Sequence, residues 1–467
     1  MNQENPIIVG LDIGTTKIAA IAGRKNEYGK LEILGFGRAN SNGVQHGMVL
    51  NIDQTIKAIE MALAKCYEDN PALKIEEVYV GIAGQHVKSL QTRGDIVRDN
   101  DEEIRYDEIE RLVKDQYRTY IPMSDQIIDV IPQHFTIDNF PNISNPIGCR
   151  GVKVGANFHI ITGDKNAIRN INRSVEKSGL KSKDLVLQPL ASAAAVMTDQ
   201  DLEAGVAIVD IGGGTTDLAV FYEGVLRYTA VIPFGGENIT NDIKAGLGVL
   251  KTHAEAMKVQ FGSALSDEAK SNVFITIPGL RGMAPRQISV KNLANIIQAR
   301  MSEILDFISY HLKQVGLDSR MLNGGIILTG GGSQLKHLLQ LTEYSTGLNA
   351  RIGYPNEHLT GDYKEELSMP MYSTCIGLIL KGYNDYENKM NNSDTVLVKV
   401  KEKTEEEVEV EDGKVPVGTP SNETGHPDGD GGVKIGGRIK TIKQLMDSFK
   451  KNIIDLFTEE EQDVKFN

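Results

Sequence analysis

Two short segments of the chain combine an aspartate with a turn rich in glycine and threonine, a combination that suits the binding of phosphate groups. In each, the aspartate and the turn lie between two apolar strand patterns, and the whole segments are residues 9–21 and residues 208–221. The first copy supplies Asp12, Gly14, Thr15, Thr16 and Lys17. The second copy supplies Asp210, Gly212, Gly213, Gly214, Thr215 and Thr216. Glycine turns leave backbone N–H groups free to point at phosphate oxygens, and the threonine hydroxyls and the lysine add further donors.

The spacing of the two copies indicates an internal repeat. The aspartates lie 198 positions apart, which predicts two related halves that face each other. We therefore predict that a triphosphate binds between the two turns. We expect Asp12 and Asp210 to lie near a Mg²⁺ ion and to contact it through water, because Mg²⁺ gives up its waters reluctantly.

A third glycine turn follows the apolar segment 325–329 and consists of Gly330, Gly331 and Gly332. We expect it to open a helix at Ser333 and to lie against a ribose or a phosphate. A single turn of this kind is equally compatible with an ordinary hairpin. Two matched copies and a third turn in this order favour a nucleotide site, and the spacing of a P-loop is absent from the chain.

Residues 438–457 carry apolar side chains at helical spacing, with lysines beside them. The apolar positions are Ile439, Ile442, Leu445, Met446, Phe449, Ile453, Leu456 and Phe457, and the flanking lysines are Lys443 and Lys450. One interpretation is a helix that lies in the plane of an anionic membrane, and the other is a helix that docks on a protein surface. The preceding glycine-rich stretch favours the membrane, because it separates this segment from the rest of the chain.

Composition limits the possible function classes. The chain has 467 residues, 40% of them apolar, and a net charge of −13, so we expect a soluble globular protein that does not bind nucleic acid. Its three cysteines lack metal-ligand spacing, and no secretory signal or membrane-spanning stretch is visible, which together suggest the cytoplasm. Residues 404–437 hold nine acidic residues against two lysines, which is typical of a flexible linker.

The elements that must position these turns alternate along residues 1–385, which predicts α/β layers. Strands are predicted at 7–13, 17–23, 78–83, 128–137, 157–163, 206–211, 218–222 and 325–329. Helices are predicted at 52–66, 107–117, 165–178, 189–198, 290–315 and 333–343.

The three turns resemble the phosphate 1, phosphate 2 and adenosine motifs of the superfamily of actin, DnaK-type chaperones and sugar kinases. Further segments resemble the FtsA family, the bacterial actin-like proteins of cell division. They include VYVGIAGQHV (78–87), HIITGDKNAIRN (159–170), VLQPLASAAAV (186–196), VIPFGGENITNDI (231–243), GIILTGGGSQL (325–335) and PMYSTCIGLIL (370–380). The resemblance covers nearly all of 5–385 and returns at 438–457. It implies an α/β, two-lobed actin-like ATPase fold with a small domain inserted in the first half, a disordered linker and a C-terminal amphipathic helix.

The resemblance also implies ATP and Mg²⁺ as ligands, and it adds residues to the site. Gly235 and Gly236 are similar to glycines that border the nucleotide in the second half. Glu255 and Lys258 are similar to the pair on the adenine and ribose side, although from spacing alone they are a solvated ion pair on a helix. The family carries a glutamate where this chain has Gln188. A glutamine can orient the attacking water but cannot accept its proton, so we expect at most slow ATP hydrolysis. The alternative for Gln188 is an amide at a domain hinge.

The domain boundaries follow from the resemblance and the composition. They are 1–83 and 164–200 for the first half, 84–163 for the inserted domain, 201–243 and 321–385 for the second half, 244–320 for its subdomain, 386–437 for the linker, 438–457 for the membrane-targeting helix and 458–467 for an acidic tail.

The implied role is a scaffold that attaches the division ring to the cytoplasmic side of the inner membrane as a peripheral protein. Implied partners are the C-terminal peptide of the tubulin homologue FtsZ, further copies of the chain in filaments, anionic inner membrane and other division proteins. Two alternatives share the fold: an actin-like scaffold of pilus assembly and a small-molecule kinase.

Overall fold

The computed structural model of the chain describes residues 5–279, 284–316, 321–360 and 365–391. The predicted linker beyond residue 391, the predicted membrane helix at 438–457 and the acidic tail at 458–467 lie outside these residues. Within them the protein is a mixed α/β molecule built around two five-stranded sheets.

Eighteen β-strands occur in the described ranges. In chain order they are β1 (Ile8–Ile13), β2 (Lys17–Lys25), β3 (Leu31–Asn40), β4 (Val44–Gln45), β5 (Met48–Val49), β6 (Glu77–Ile82), β7 (Val87–Val97), β8 (Asp125–Ile137), β9 (Phe140–Ile143), β10 (Lys153–Asp164), β11 (Lys181–Leu187), β12 (Val206–Ile211), β13 (Thr216–Tyr222), β14 (Val225–Ile232), β15 (Phe274–Ile277), β16 (Arg286–Ser289), β17 (Ile326–Thr329) and β18 (Ala350–Ile352).

The same ranges contain ten α-helices. They are α1 (Ile52–Asp69), α2 (Tyr106–Gln116), α3 (Lys165–Lys177), α4 (Gln188–Val196), α5 (Asp199–Ala204), α6 (Gly236–Leu247), α7 (Lys251–Phe261), α8 (Val290–Val315), α9 (Leu338–Thr346) and α10 (Ser373–Asn391). Short 3₁₀ helices lie at Ser266–Glu268, Gly331–Gln334, Pro355–His358, Glu365–Ser368 and Pro370–Tyr372.

The two large sheets have the same topology. The first has the order β11-β6-β1-β2-β3, and the second, read from the matching edge, has the order β18-β17-β12-β13-β14. In each, a central strand pairs antiparallel with the next strand in sequence and parallel with a strand from later in the chain. The repeat predicted from the two aspartate turns is therefore a repeat of whole sheets, and the predicted two-lobed fold is confirmed.

The central strands are buried because helices cover both faces of each sheet. Every residue of β1 and of β12 is buried, as expected for near-continuous apolar strands in α/β layers. Helices α4 and α10 lie between the sheets, and one apolar cluster joins their side chains to those of both halves. A Cβ atom at Gly377 of α10 would lie 1.7 Å from the carbonyl oxygen of Ala191 in α4, so only glycine permits this close packing.

The inserted domain forms its own four-stranded sheet, with the order β7-β10-β8-β9, and a core against α2. This sheet also contacts β14, the edge strand of the second half. Gln133 donates its side-chain amide to the carbonyl of Leu226 over 2.9 Å, and His159 Nε2 lies 3.1 Å from the hydroxyl of Thr229. The insertion therefore connects the first half to the second.

Most predicted elements occur within a few residues of their expected positions, and one is wrong. The helix predicted at 333–343 begins only at Leu338, because Gly331–Gln334 forms a 3₁₀ turn and His337 adopts a left-handed conformation with φ of 60°. Helix α10 continues to Asn391, so residues 386–391 are helical where the linker was predicted to begin. Within the described ranges, helices long and apolar enough to cross a membrane are absent.

Candidate functional site

A cleft between the two halves brings the predicted turns together. Its lining comes from six separate parts of the chain: the turn after β1, the turn after β12, the β4–β5 turn, the start of α4, the turn at Gly330, and the start of α10 with the residues just before it. The lining residues are Asp12, Ile13, Gly14, Thr15, Thr16, Lys17, Gly47, Gln188, Asp210, Gly212, Gly213, Gly214, Thr215, Asp217, Gly330, Gly331, Met371 and Thr374.

The two turns have matching backbone geometry. The N–H of Gly14 donates to the carbonyl of Lys17 over 3.0 Å, and the N–H of Gly212 donates to that of Thr215 over 2.9 Å. The turns also lie against each other: a Cβ atom at Gly213 would lie 2.4 Å from Cγ2 of Thr16. Glycine at 213 therefore allows residues from opposite halves to approach closely.

Asp12 sits at the end of β1 and is held by two donors. Lys17 Nζ lies 3.1 Å from Asp12 Oδ2, and Gln188 donates its side-chain amide to Asp12 Oδ1 over 3.0 Å. Lys17 also lies over the ring of Tyr372, 5.4 Å from the ring centroid. The amide of Gln188 thus reaches the cleft and orients a carboxylate there.

Asp210 occupies the equivalent position at the end of β12, but its partners are hydroxyl groups. Ser192 donates to Asp210 Oδ2 over 2.6 Å, and Thr374 donates to the same oxygen over 3.2 Å. Burial raises the pKa of Asp210 and the nearby charge of Asp12 adds to that rise, while the two hydroxyl donors oppose it. The third glycine turn leaves room for this side chain, since a Cβ at Gly330 would lie 2.2 Å from Asp210 Oδ1.

Asp217 is a third buried carboxyl group at the cleft. Burial and the charge of Asp210 raise its pKa to about 8, although Thr215 donates to its Oδ2 over 3.0 Å. Its Oδ1 is buried and has no hydrogen-bond partner among the described residues. A buried carboxyl oxygen without a partner is costly unless a ligand or water completes it.

The charge of the cleft favours a cation. Among the described residues that line it, Lys17 is the one cationic side chain beside Asp12 and Asp210, while the raised pKa of Asp217 keeps that carboxyl group mostly protonated near neutral pH. A bare triphosphate would be repelled by this arrangement, whereas Mg²⁺ with its waters would compensate the carboxylates and the phosphates together. No group of three or more His, Cys, Asp or Glu side chains in the described ranges is placed to ligate a metal directly. The arrangement therefore fits an ion held through water by Asp12 and Asp210.

Several residues predicted for the site lie beside the cleft and support its walls. Thr216 donates its hydroxyl to the carbonyl of Phe234, and a Cβ at Gly235 would lie 2.7 Å from the carbonyl oxygens of Gly212 and Gly213. Gly236 N–H donates to the carbonyl of Gly212 over 3.0 Å.

The predicted adenine-side pair and the last glycine of the third turn also lie outside the cleft lining. Lys258 Nζ lies 2.8 Å from Glu255 Oε2 and donates to the carbonyl of Gly236 over 2.8 Å. Thr240 donates its hydroxyl to Glu255. Gly332 packs against Ile211, where a Cβ would lie 2.3 Å from Cγ2 of that residue. These contacts link α6 and α7 to the second phosphate turn.

Sequence reasoning missed the turn between β4 and β5. His46 Nδ1 lies 2.9 Å from the carbonyl oxygen of Gly214, and Gly47 N–H donates to the hydroxyl of Thr15 over 3.3 Å. One short turn therefore contacts both of the matched glycine turns. Both residues have positive φ, 46° for His46 and 76° for Gly47, and the pair His-Gly was the available sequence signal.

The sequence matches a known family over most of its length. A family model described as "Cell division protein FtsA" matches residues 207–377, and one described as "SHS2 domain inserted in FTSA" matches residues 84–162. The cell division protein FtsA of Neisseria meningitidis serogroup B is 39% identical over 381 residues, which cover 81% of this chain and 91% of that protein.

Solved structures support the fold. The PilM-PilN type IV pilus biogenesis complex contains a chain that superposes with a TM-score of 0.58 at 15% identity, covering 80% of this chain and 98% of that one. MreB 5 of Spiroplasma citri bound to AMPPNP superposes with a TM-score of 0.52 at 14% identity, covering 84% of this chain and all of that one.

Proposed function

The chain belongs to the FtsA family of cell division proteins, and from that premise we propose that it is an ATP-binding scaffold that attaches the division ring to the inner membrane. The ring component it binds is the C-terminal peptide of FtsZ, and its subdomain at 244–320 receives that peptide. Copies of the chain polymerise on the cytoplasmic face of the membrane. The product of this activity is an attachment and not a chemical change.

The observation that carries the nucleotide part of this proposal is the cleft. Two glycine turns from opposite halves contact each other there, with Asp12 and Asp210 on either side. Backbone N–H groups of such turns suit phosphate oxygens, and Lys17 adds a positive charge. A nucleotide bound at this point touches both halves, so its binding favours one relative arrangement of the two.

Mg²⁺ would be held by Asp12 and Asp210 through water, and when bound it would neutralise phosphate charge. The chain's own residues prepare this site: Gln188 and Lys17 orient Asp12, while Ser192 and Thr374 orient Asp210. The Gln188 amide donates to Asp12, and a glutamine does not accept a proton near neutral pH. Hydrolysis is therefore slow, and ATP serves mainly to set the conformation.

Membrane attachment is assigned to residues 438–457 from their sequence pattern, since they lie outside the described residues. Lysines beside an apolar stripe suit an anionic lipid surface, at about 1 kcal/mol for each lysine. One such segment binds weakly, and a filament that displays many copies binds tightly through avidity.

The test is cosedimentation of the full-length protein and FtsZ with vesicles of phosphatidylglycerol and phosphatidylethanolamine, with and without Mg-ATP. We expect FtsZ to pellet with vesicles when the protein is present, and pelleting to fall about tenfold for a truncation after Gly437, which removes the predicted membrane segment. A truncation after Phe457 is the matched control, because it removes only the acidic tail and should pellet like the intact chain.

Two results would contradict the proposal separately. Equal pelleting of both truncations would exclude the membrane role of 438–457. Vesicle binding of the protein without any recruitment of FtsZ would exclude attachment of the ring and favour the pilus-type alternative.

A further inference from the structure

Helix α4 reaches both carboxylates of the cleft from one face. Gln188, its first residue, donates to Asp12 Oδ1 over 3.0 Å, and Ser192 donates to Asp210 Oδ2 over 2.6 Å. Residues four apart lie one above the other on an α-helix, about one turn from each other. A single turn of α4 therefore connects the aspartate of the first half to the aspartate of the second.

Helix α10 supplies a second hydroxyl to the same oxygen. Thr374 donates to Asp210 Oδ2 over 3.2 Å, and its hydroxyl lies 2.9 Å from that of Ser192. Ser192 is completely buried and Thr374 is 7% exposed, so bulk water does not replace these bonds. With Oδ2 held by two donors, Asp210 has one fixed orientation, and its Oδ1 lies against Gly330, which also lines the cleft and where a Cβ would be 2.2 Å away.

The contact made by Ser192 differs from what a helical serine usually does. Ser174 of α3 is equally buried, and it donates its hydroxyl to the carbonyl of Asn170 in its own helix over 2.8 Å. This local bond is available to any serine in a helix. Ser192 instead donates its hydroxyl hydrogen to a carboxylate from the other half of the molecule, which indicates a role in the cleft.

We propose that Ser192 and Thr374 are positioning residues for nucleotide-bound Mg²⁺, because they hold Asp210 in the orientation that the hydrated ion meets. The one-turn spacing from Gln188 to Ser192 sets the separation of the two carboxylates across the cleft. This inference rests on the proposed function, since it requires a magnesium nucleotide in the cleft. It assigns helices α4 and α10, which lie between the two sheets, an indirect part in recognising the metal, through Asp210.

The test compares ATP affinity in excess Mg²⁺ with ATP affinity in EDTA, measured by titration calorimetry on full-length protein. Ser192→Ala and Thr374→Val each remove one hydroxyl donor. We expect the double variant to lose about tenfold of affinity in Mg²⁺, and its affinity in EDTA to stay within about twofold of the wild type. Thr374→Ser keeps the hydroxyl. Its ATP affinity in Mg²⁺, relative to that in EDTA, should therefore stay close to the wild-type ratio.

Two control variants match the chemistry without reaching the cleft. Ser174→Ala removes a buried helical hydroxyl, and Thr342→Val removes one that donates to the carbonyl of Leu338 over 2.8 Å. Neither should change the ratio of the two affinities. Comparison of Thr374→Val with Thr374→Ser keeps the inference testable if Ser192→Ala fails to fold.

The outcomes separate this inference from the proposed function. Equal weakening in Mg²⁺ and in EDTA, or no weakening at all, would overturn the positioning role while leaving nucleotide binding intact. Absence of ATP binding by the wild type in both solutions would overturn nucleotide binding, and the positioning role with it.

Discussion

At the scale of single residues, the two matched aspartates are held by different chemistry. Asp12 meets a lysine and an amide, whereas Asp210 meets two hydroxyls, and both side chains are buried. A charged partner and a neutral donor both favour the ionised carboxylate, and only the charged partner also neutralises it. The hydroxyl donors only partly oppose the rise that burial gives the pKa of Asp210, so a cation bound nearby would favour the ionised form of this carboxyl group.

The close contact between the turns leads to a prediction for Gly213. A valine at this position would place its Cβ 2.4 Å from Cγ2 of Thr16, so the turns of the two halves must separate. We expect Gly213→Val to weaken ATP binding about tenfold or more in titration calorimetry, because a clash of this size forces a shift of the phosphate-binding backbone.

Gly23→Ala is the matched control for this variant. Its new methyl group would meet side chains at 3.4 Å, an ordinary contact distance, so ATP affinity should stay within about twofold of the wild type. If Gly213→Val bound ATP as tightly as Gly23→Ala, the turns would not be the phosphate site.

At the scale of elements, the edge strand β14 is covered by the inserted domain. Side chains of the inserted sheet cap its backbone: Gln133 reaches the carbonyl of Leu226, and Gln91 reaches that of Arg227 over 3.3 Å. His159 reaches the hydroxyl of Thr229. An uncovered edge strand can pair with other chains, and these contacts occupy two of its backbone carbonyls. The same contacts tie the inserted domain to the second half.

His159 makes the stability of this interface depend on pH. Burial lowers its pKa to about 4, despite the opposing charge of Asp129, whereas in the unfolded chain its pKa is near the ordinary histidine value of about 6.5. Below pH 6.5 His159 becomes protonated in the unfolded chain, while it stays neutral in the folded protein. Stability is therefore lost as the pH falls from about 6.5 towards 4, by about 2 kcal/mol between pH 6.5 and pH 5.

This prediction is measured by urea unfolding at pH 7 and at pH 5, followed by circular dichroism because the chain has no tryptophan. When the pH falls from 7 to 5, the free energy of unfolding of His159→Gln should fall by about 2 kcal/mol less than that of the wild type. His253→Gln, on α7, should retain the wild-type loss. Parallel losses for the wild type and His159→Gln would show that His159 is not held neutral.

At the scale of the whole molecule, several contacts among the described residues join the halves across the cleft. They include those of helices α4 and α10, the contact between the two glycine turns, the His46–Gly47 turn, and the inserted domain on β14. A ligand that binds the closed arrangement stabilises these contacts together, because its binding energy is coupled to the whole closed state. At a ligand concentration of 100 times Kd, that stabilisation is about 2.7 kcal/mol.

We therefore predict that Mg-ATP protects both halves from hydrogen exchange in parallel. Peptides that contain residues 12–17 and 210–216 should slow by a similar factor, up to about a hundredfold at saturating nucleotide. Peptides from the β14 interface should slow as well, while the edge strand β9, with exposed Phe140, should not change. Protection confined to one half would contradict a nucleotide that bridges the two.

Much of the fold and part of the site could be predicted from local sequence. The strand-Asp-turn-strand repeat is contained in about 14 consecutive residues each time, and its buried apolar strands are visible as runs of β-branched residues. The prediction of a helix at 333–343 was wrong because apolar spacing does not reveal backbone conformation. Gly330 with φ of 80° and His337 with φ of 60° divide that segment into a 3₁₀ turn and a later helix.

The sequence by itself determined that two matched glycine turns exist, that they belong to related halves, and which residues they contain, while their binding of phosphate stays a prediction. Only the tertiary structure decided which distant side chains complete them: the His46–Gly47 turn, Ser192 of α4 and Thr374 of α10. The physical reason is that local patterns follow from strand and turn geometry over a few residues. The partners of a buried carboxylate depend on which segments pack against it, and these can be near or far in sequence: Ser192 is 18 positions from Asp210, and Thr374 is 164 positions from it.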